Sequence, residues 1–199
     1  RLLSKLYDGY EGSIFLDGND LADLDGHHLR RQLGIVPQDI VLFEGSLGFN
    51  IGLGDPAVTR ERMQHAAEAV GADRFIRHLP GGLDFAVREG GANLSHGQRQ
   101  LVAFARALAK DPSIVILDEA TSSVDPESEA LVQSAIARLL TGRTVIVIAH
   151  RLSTVERCDR ILVLDHGRVL ETGSHQTLLA SGGAYAKLHT ALLERTPVS

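Results

Sequence analysis

The residues best suited to chemistry stand at the ends of two apolar runs. Ile114-Val115-Ile116-Leu117 is followed at once by Asp118-Glu119, and Thr144-Val145-Ile146-Val147-Ile148 is followed two residues on by His150. Uninterrupted apolar runs of this length read as buried strands of a parallel sheet. In such sheets ligands bind outside the carboxyl ends of the strands. Two carboxylates and an imidazole then emerge at one edge, which is the physical signature of an active site. For one strand alone, a solvated loop explains the acids equally well; two such strands in one domain weigh against it. A third candidate is Ser95, within Leu94-Ser95-His96-Gly97-Gln98. A serine at a helix start offers backbone N–H groups, a hydroxyl and the positive end of the helix dipole, a combination that suits an anion. Ser95 with Gln98 also has the capping-box pattern. Ordinary capping therefore explains those two residues, but not Gly97.

The elements that position these groups follow from the punctuation of the chain. Residues 13–18 read as a short strand ending in a turn, and 26–31 as a short helix. Gly34-Ile35-Val36-Pro37-Gln38 reads as a strand stopped by proline. Residues 59–78 are helix-rich, with Met63, Ala66, Ala67 and Val70 at helical spacing. A long helix is expected from Ser95 to Lys110, ended by Asp111-Pro112. Asp125-Pro126 reads as an N-cap with proline at the first helical position, opening a helix that runs to about Leu140. Strands at 160–164 and 168–171 are joined by Asp165-His166-Gly167 as a hairpin, and 174–195 is mostly helical. Strands alternating with helices imply a layered α/β domain with a parallel sheet. Helices over about 55–110 interrupt that alternation and read as an inserted subdomain.

Composition excludes several classes. Hydrophobic residues make up 44% and charged residues 23% of the 199, so a packed core is expected rather than disorder. With 20 basic and 25 acidic residues, the net charge of −5 gives no support to nucleic-acid binding. The single cysteine, Cys158, forms no internal disulfide and fits a reducing compartment. No run approaches the roughly 18 apolar residues of a membrane helix. No secretory signal is visible.

Several of these segments resemble the motifs of ABC transporter ATPases. The apolar run closed by Asp118-Glu119 is similar to Walker B. Leu94-Ser95-His96-Gly97-Gln98, with Arg99-Gln100 after it, resembles the signature motif LSGGQ, with His96 standing where the family has glycine. Gln38 resembles the Q-loop glutamine, and Ser122-Ser123-Val124-Asp125 the D-loop. His150, in Ile148-Ala149-His150-Arg151, resembles the H-loop histidine. Val87 and Glu89 match alternate positions of the TEVGERG-like segment of exporters. The other histidines read as ordinary structural or surface residues. The resemblance implies a P-loop NTPase-like core with an inserted helical subdomain, binding ATP with Mg²⁺. It assigns Asp118 and Gln38 to the metal and Glu119 to the attacking water. It gives His150 to the γ-phosphate, and Gln38, Ser95, His96, Gly97, Gln98 and Asp125 to nucleotide contact.

No Gly-Lys pair occurs in the sequence, so the phosphate-gripping Walker A loop, G-x-x-x-x-G-K-[ST], is not within it. Tyr7-Asp8-Gly9-Tyr10-Glu11-Gly12 resembles the turn that follows the Walker A helix in the family, which implies that this loop lies just upstream of Arg1. The 199 residues alone are then expected to bind ATP weakly and to hydrolyse none. The resemblance further implies a second nucleotide-binding domain as a head-to-tail partner and a transmembrane domain fused upstream. That places the chain at the cytoplasmic face of a bacterial inner or plasma membrane. Two alternatives stay open: a soluble ABC-type ATPase, and a non-catalytic half of a heterodimeric transporter, for which the His96 departure is the mild argument.

Overall fold

The computed structural model describes residues 2–7, 9–118, 126–139, 141–149 and 152–195. The chain forms two compact units. One runs from the N-terminus through Asp118 and resumes through residue 147; the other comprises the C-terminal residues from Ile148 onward.

The first unit opens with a hairpin of two-residue strands, β1 (Phe15–Leu16) and β2 (Asn19–Asp20). Asp17 and Gly18 turn it at φ +49° and +81°, the pairing that a tight hairpin requires. The sequence reading ends the strand at this turn; the structure adds β2 beyond it, paired back on β1. Helix α1 (Gly26–Gln32) starts where Asp25 accepts a hydrogen bond from the His28 N–H at 2.7 Å. It leads into β3 (Leu33–Val36). Next come β4 (Gly45–Ser46), α2 (Leu47–Gly52), α3 (Arg60–Val70), α4 (Asp73–Ile76) and β5 (Ala86–Val87), which pairs antiparallel with β4. Helix α2 was not expected, because three glycines in eight residues mask its period. Ser46 caps it, accepting from Phe49 N–H at 2.9 Å. Gly48 lets it close on the Leu83 carbonyl, which an added Cβ would meet at 3.3 Å.

Helix α5 (His96–Leu108), strand β6 (Ile114–Asp118), helix α6 (Pro126–Leu139) and strand β7 (Thr144–Ile148) complete this unit. The sheet order is β3-β6-β7. β3 and β6 run parallel, with Leu33 opposite Ile114 and Val36 opposite Leu117. Val36, Val115 and Leu117 are buried in one core with Val102, Ala105 and Leu139. Small residues on α5 set its depth: Gly34 of β3 sits where a Cβ would come within 2.6 Å of the Ala107 carbonyl. In β7, Val145 and Val147 pack on the core while Ile146 and Ile148 are exposed. That strand is thus half-covered rather than buried on both faces.

The second unit holds α7 (Leu152–Val155), β8 (Ile161–Asp165), β9 (Arg168–Gly173), α8 (His175–Ser181) and α9 (Ala184–Arg195). β8 and β9 form the expected hairpin, turned by His166 and Gly167 at φ +45° and +77°. Its core gathers Val163, Leu178 and Tyr185. The Glu171 carboxylate caps α9, accepting from the Ala184 and Tyr185 N–H groups at 2.7 and 3.0 Å. Those donors have no partner within the helix, and a carboxylate there also complements the dipole.

Candidate functional site

Two of the acid and amide residues singled out from the sequence come together at one sheet edge. The register places Val36 opposite Leu117 on adjacent parallel strands. Asp118 is the next residue on β6 and is half-buried, while Gln38 follows two residues beyond Val36 and is exposed. Pro37 ends β3, because it has no N–H for the ladder. A carboxylate and a side-chain amide oxygen thus leave the carboxyl ends of neighbouring strands. Both are hard oxygen donors of the kind Mg²⁺ takes, so the donor set fits that ion. Strand β7 lies beside β6. Glu119, Asp125 and His150 lie outside the described residues.

The N-terminus of α5 is built as a complete capping box. Ser95 has extended φ/ψ of −65° and 162°. Its Oγ accepts from the Gln98 N–H at 3.2 Å, and Gln98 Oε1 accepts from the Ser95 N–H at 2.9 Å. The Gln98 carbonyl oxygen is therefore committed to the backbone, leaving its amide N–H₂ group for a ligand. The Ser95 hydroxyl still has a proton to donate, and it stands beside first-turn N–H groups that α-helices leave without an internal partner. Ser95 and His96 are exposed and Gly97 is buried. The imidazole that replaces the family's glycine therefore sits at the surface, outside the core.

The loop leading to Ser95 is held from both sides. Asn93 accepts from the Arg88 N–H at 3.0 Å and donates to the Ala86 carbonyl at 2.9 Å. Arg99 donates to the Leu94 carbonyl at 2.8 Å. Gly91, at φ +73°, lies so close to Arg99 and Leu42 that a Cβ would meet them at 2.8 and 2.9 Å. Val87 is buried and Glu89 is exposed in a short 3₁₀ turn.

Seven residues beyond Arg99, on the same face of α5, Arg106 donates to the Asn50 and Val41 carbonyls at 2.7 and 2.9 Å. Asn50 is fully buried. Its Oδ1 accepts from the Phe43 N–H at 2.8 Å, and its amide donates to the Phe43 and Ser46 carbonyls at 2.8 and 3.1 Å. Burial lowers the Arg106 pKa from its ordinary value, yet a guanidinium remains charged in proteins. Sequence reasoning missed this pair. The available signal was a second arginine at i+7, in a stretch (101–108) otherwise made of alanine, leucine, valine and phenylalanine.

Comparison with known proteins decides what this edge and this helix belong to. The family model described as ABC transporter matches residues 1–122. The chain belongs to the ABC transporter family. Among relatives, this ABC transporter chain is 51% identical over 188 residues to the uncharacterized ABC transporter ATP-binding protein YknV of Bacillus subtilis, covering 94% of the chain and 31% of that protein. It is 52% identical over 189 residues to the ATP-dependent lipid A-core flippase of Alkalilimnicola ehrlichii, covering 94% and 32%. The solved structure of a bacterial Atm1-family ABC exporter with ATP bound superposes with a TM-score of 0.86 at 43% identity, covering 100% of the chain and 34% of that structure. The ABC transporter chain thus spans about a third of the length of these relatives. The α/β fold with a parallel sheet, expected from strand and helix alternation, is the ABC ATPase fold. Among the described residues, no helix is long and apolar enough to cross a membrane.

Proposed function

We propose that this chain is the ATP-hydrolysing engine of an ABC exporter, working at the cytoplasmic face of a membrane against a fused transmembrane domain and a second nucleotide-binding domain. The observation that carries the reading is the convergence of Asp118 and Gln38 on one sheet edge, in a chain whose relatives are ATP-dependent flippases and an exporter with ATP bound. Asp118 and Gln38 would hold Mg²⁺, which, when bound, neutralises charge on the phosphate oxygens. Glu119, one residue on, orients the attacking water and accepts its proton. His150 hydrogen-bonds the γ-phosphate. Ser95, His96, Gly97 and Gln98 present the positive end of α5 to the nucleotide of the facing domain, and Asp125 is assigned to nucleotide contact as well. In this reading the helices over about 55–110 form the subdomain that carries α5's N-terminus to that partner. The relatives' names point to ATP-driven export; the cargo of this chain is set elsewhere, by the transmembrane domain.

Glu119→Gln in the full-length protein tests the assignment. Losing a positioned base lowers hydrolysis about 100-fold or more while ATP binding persists, because the amide keeps the size of the acid. Unchanged hydrolysis would refute the catalytic role and favour a subunit that only lends its signature motif to another.

A further inference from the structure

The second unit holds a cluster of metal-ligating side chains that the nucleotide chemistry does not use. Glu156, His175 and His189 each bring a ligand atom within 4.8 Å of the other two. They come from three segments: Glu156 follows α7, His175 opens α8, and His189 lies within α9. His189 Nε2 is 3.4 Å from Glu156 Oε1, and the His189 side chain is only 13% exposed. The two imidazole centroids are 5.3 Å apart. The His175 ring is held from behind, with Nδ1 2.7 Å from the hydroxyl of the buried Tyr185.

We propose that Glu156, His175 and His189 form a binding site for a transition-metal dication of the Zn²⁺ class, with water completing the coordination. Two imidazoles and one carboxylate are a common three-residue ligand set for zinc. They do not suit Mg²⁺ or Ca²⁺, which take oxygen ligands. Ligand atoms about 2.1 Å from a tetrahedral metal lie about 3.4 Å from one another, and the three here lie within 4.8 Å, close enough for modest side-chain shifts to close on an ion. The Glu156–His189 pair already stands at 3.4 Å. Tyr185 supplies the second shell. Where the ring donates its Nδ1 proton to the phenol oxygen, the other nitrogen keeps its lone pair for the metal. A simple hydrogen-bonded cluster needs only His189 and Glu156; the third ligand, anchored by its own buried partner, is what that explanation leaves over. One bound ion would tie α7, α8 and α9 together, independently of nucleotide.

The test uses the full-length protein, nucleotide-free, stripped of metal with chelator and of any affinity tag. Co²⁺ is titrated by visible absorption, and Zn²⁺ by equilibrium dialysis with elemental analysis. The expected result is one equivalent per chain, with intense ligand-field bands of a four- or five-coordinate Co²⁺ site. His175→Ala and His189→Ala each weaken binding about 100-fold or more, and Tyr185→Phe, a positioning change, about 10-fold. His166→Ala, in the exposed hairpin turn, leaves it intact. Zn²⁺ raises the melting temperature of the wild type but not of His189→Ala. Should either alanine variant fail to fold, Glu156→Gln, nearly isosteric and partly exposed, reads the same loss. Absence of a stoichiometric Co²⁺ site, or one retained in Glu156→Gln and either histidine variant, overturns the proposal.

Discussion

Ser95 is asked to do two things, and one substitution separates them. It caps α5 through the Gln98 N–H at 3.2 Å, and in the proposed reading it also meets a γ-phosphate. Aspartate caps a helix as well as serine does, and the dipole favours its charge. Ser95→Asp should therefore keep the wild-type stability within about 0.5 kcal/mol, whereas Ser95→Ala removes the acceptor and loses about 1 kcal/mol. Toward a phosphate the order reverses. A unit negative charge 4 Å from another is repelled by about 1 kcal/mol in water and about 4 kcal/mol at an effective dielectric of 20. Hydrolysis by Ser95→Asp, which also lacks the serine's hydroxyl donor, then falls about 5-fold to about 1,000-fold below that of Ser95→Ala. Ser95→Ala, which loses one hydrogen bond to a charged group worth about 1.5–3 kcal/mol, falls by about 10- to 100-fold. The assay pairs thermal denaturation with ATPase rate against ATP concentration, on the full-length protein. Wild-type hydrolysis by Ser95→Asp would show that the serine is a helix cap and nothing more.

Three further outcomes follow from the packing. Asn50→Ala strips partners from the Phe43 N–H, the Phe43 carbonyl and the Ser46 carbonyl, at about 1 kcal/mol each. The result is a loss of about 3 kcal/mol, read as faster hydrogen exchange at the Phe43 amide. Gly34→Ala drives a Cβ against the Ala107 carbonyl at 2.6 Å and Pro112 Cγ at 2.8 Å, and overpacking of that kind destabilises by about 1–3 kcal/mol in denaturant titrations. Arg60 donates two hydrogen bonds to Asp84 and holds its carboxyl below the ordinary 3.8. A depressed folded pKa contributes stability above the unfolded value and loses it as pH falls through the folded one. Asp84→Asn should thus be less stable than wild type at pH 7, with the difference closing below pH 3.8 in urea melts run across that range.

The sequence made the sheet edge legible because its signals are local. Ile114–Leu117 is uniformly apolar and ends in acid, and Ser95 with Gln98 spells a cap within one turn. Both features stand in the structure, the strand as Ile114–Asp118 and the cap with both of its hydrogen bonds. The two-residue strands β1, β2, β4 and β5 are too short to show a period, and they exist only through their partners. The grip of Arg106 on Val41 and Asn50 spans 65 and 56 residues of sequence. No window analysis reaches that far, and a buried asparagine in a glycine-rich stretch reads as a loop. Apart from His96 and His150, the histidines read singly as surface or structural residues. Only the fold brings His175 and His189 to one carboxylate, from helices that no spacing rule connects.

The Arg106 guanidinium holds Val41, three residues past Gln38, and it sits eleven residues into the stretch that Ser95 opens. A rigid rod clamped at that point is a lever. If closure over a nucleotide tilts the end carrying Ser95, the clamp drags the chain around Val41 along with it. In the proposed reading, movement at Ser95 would thereby be transmitted as traction on the segment beside Gln38, with no separate messenger between them.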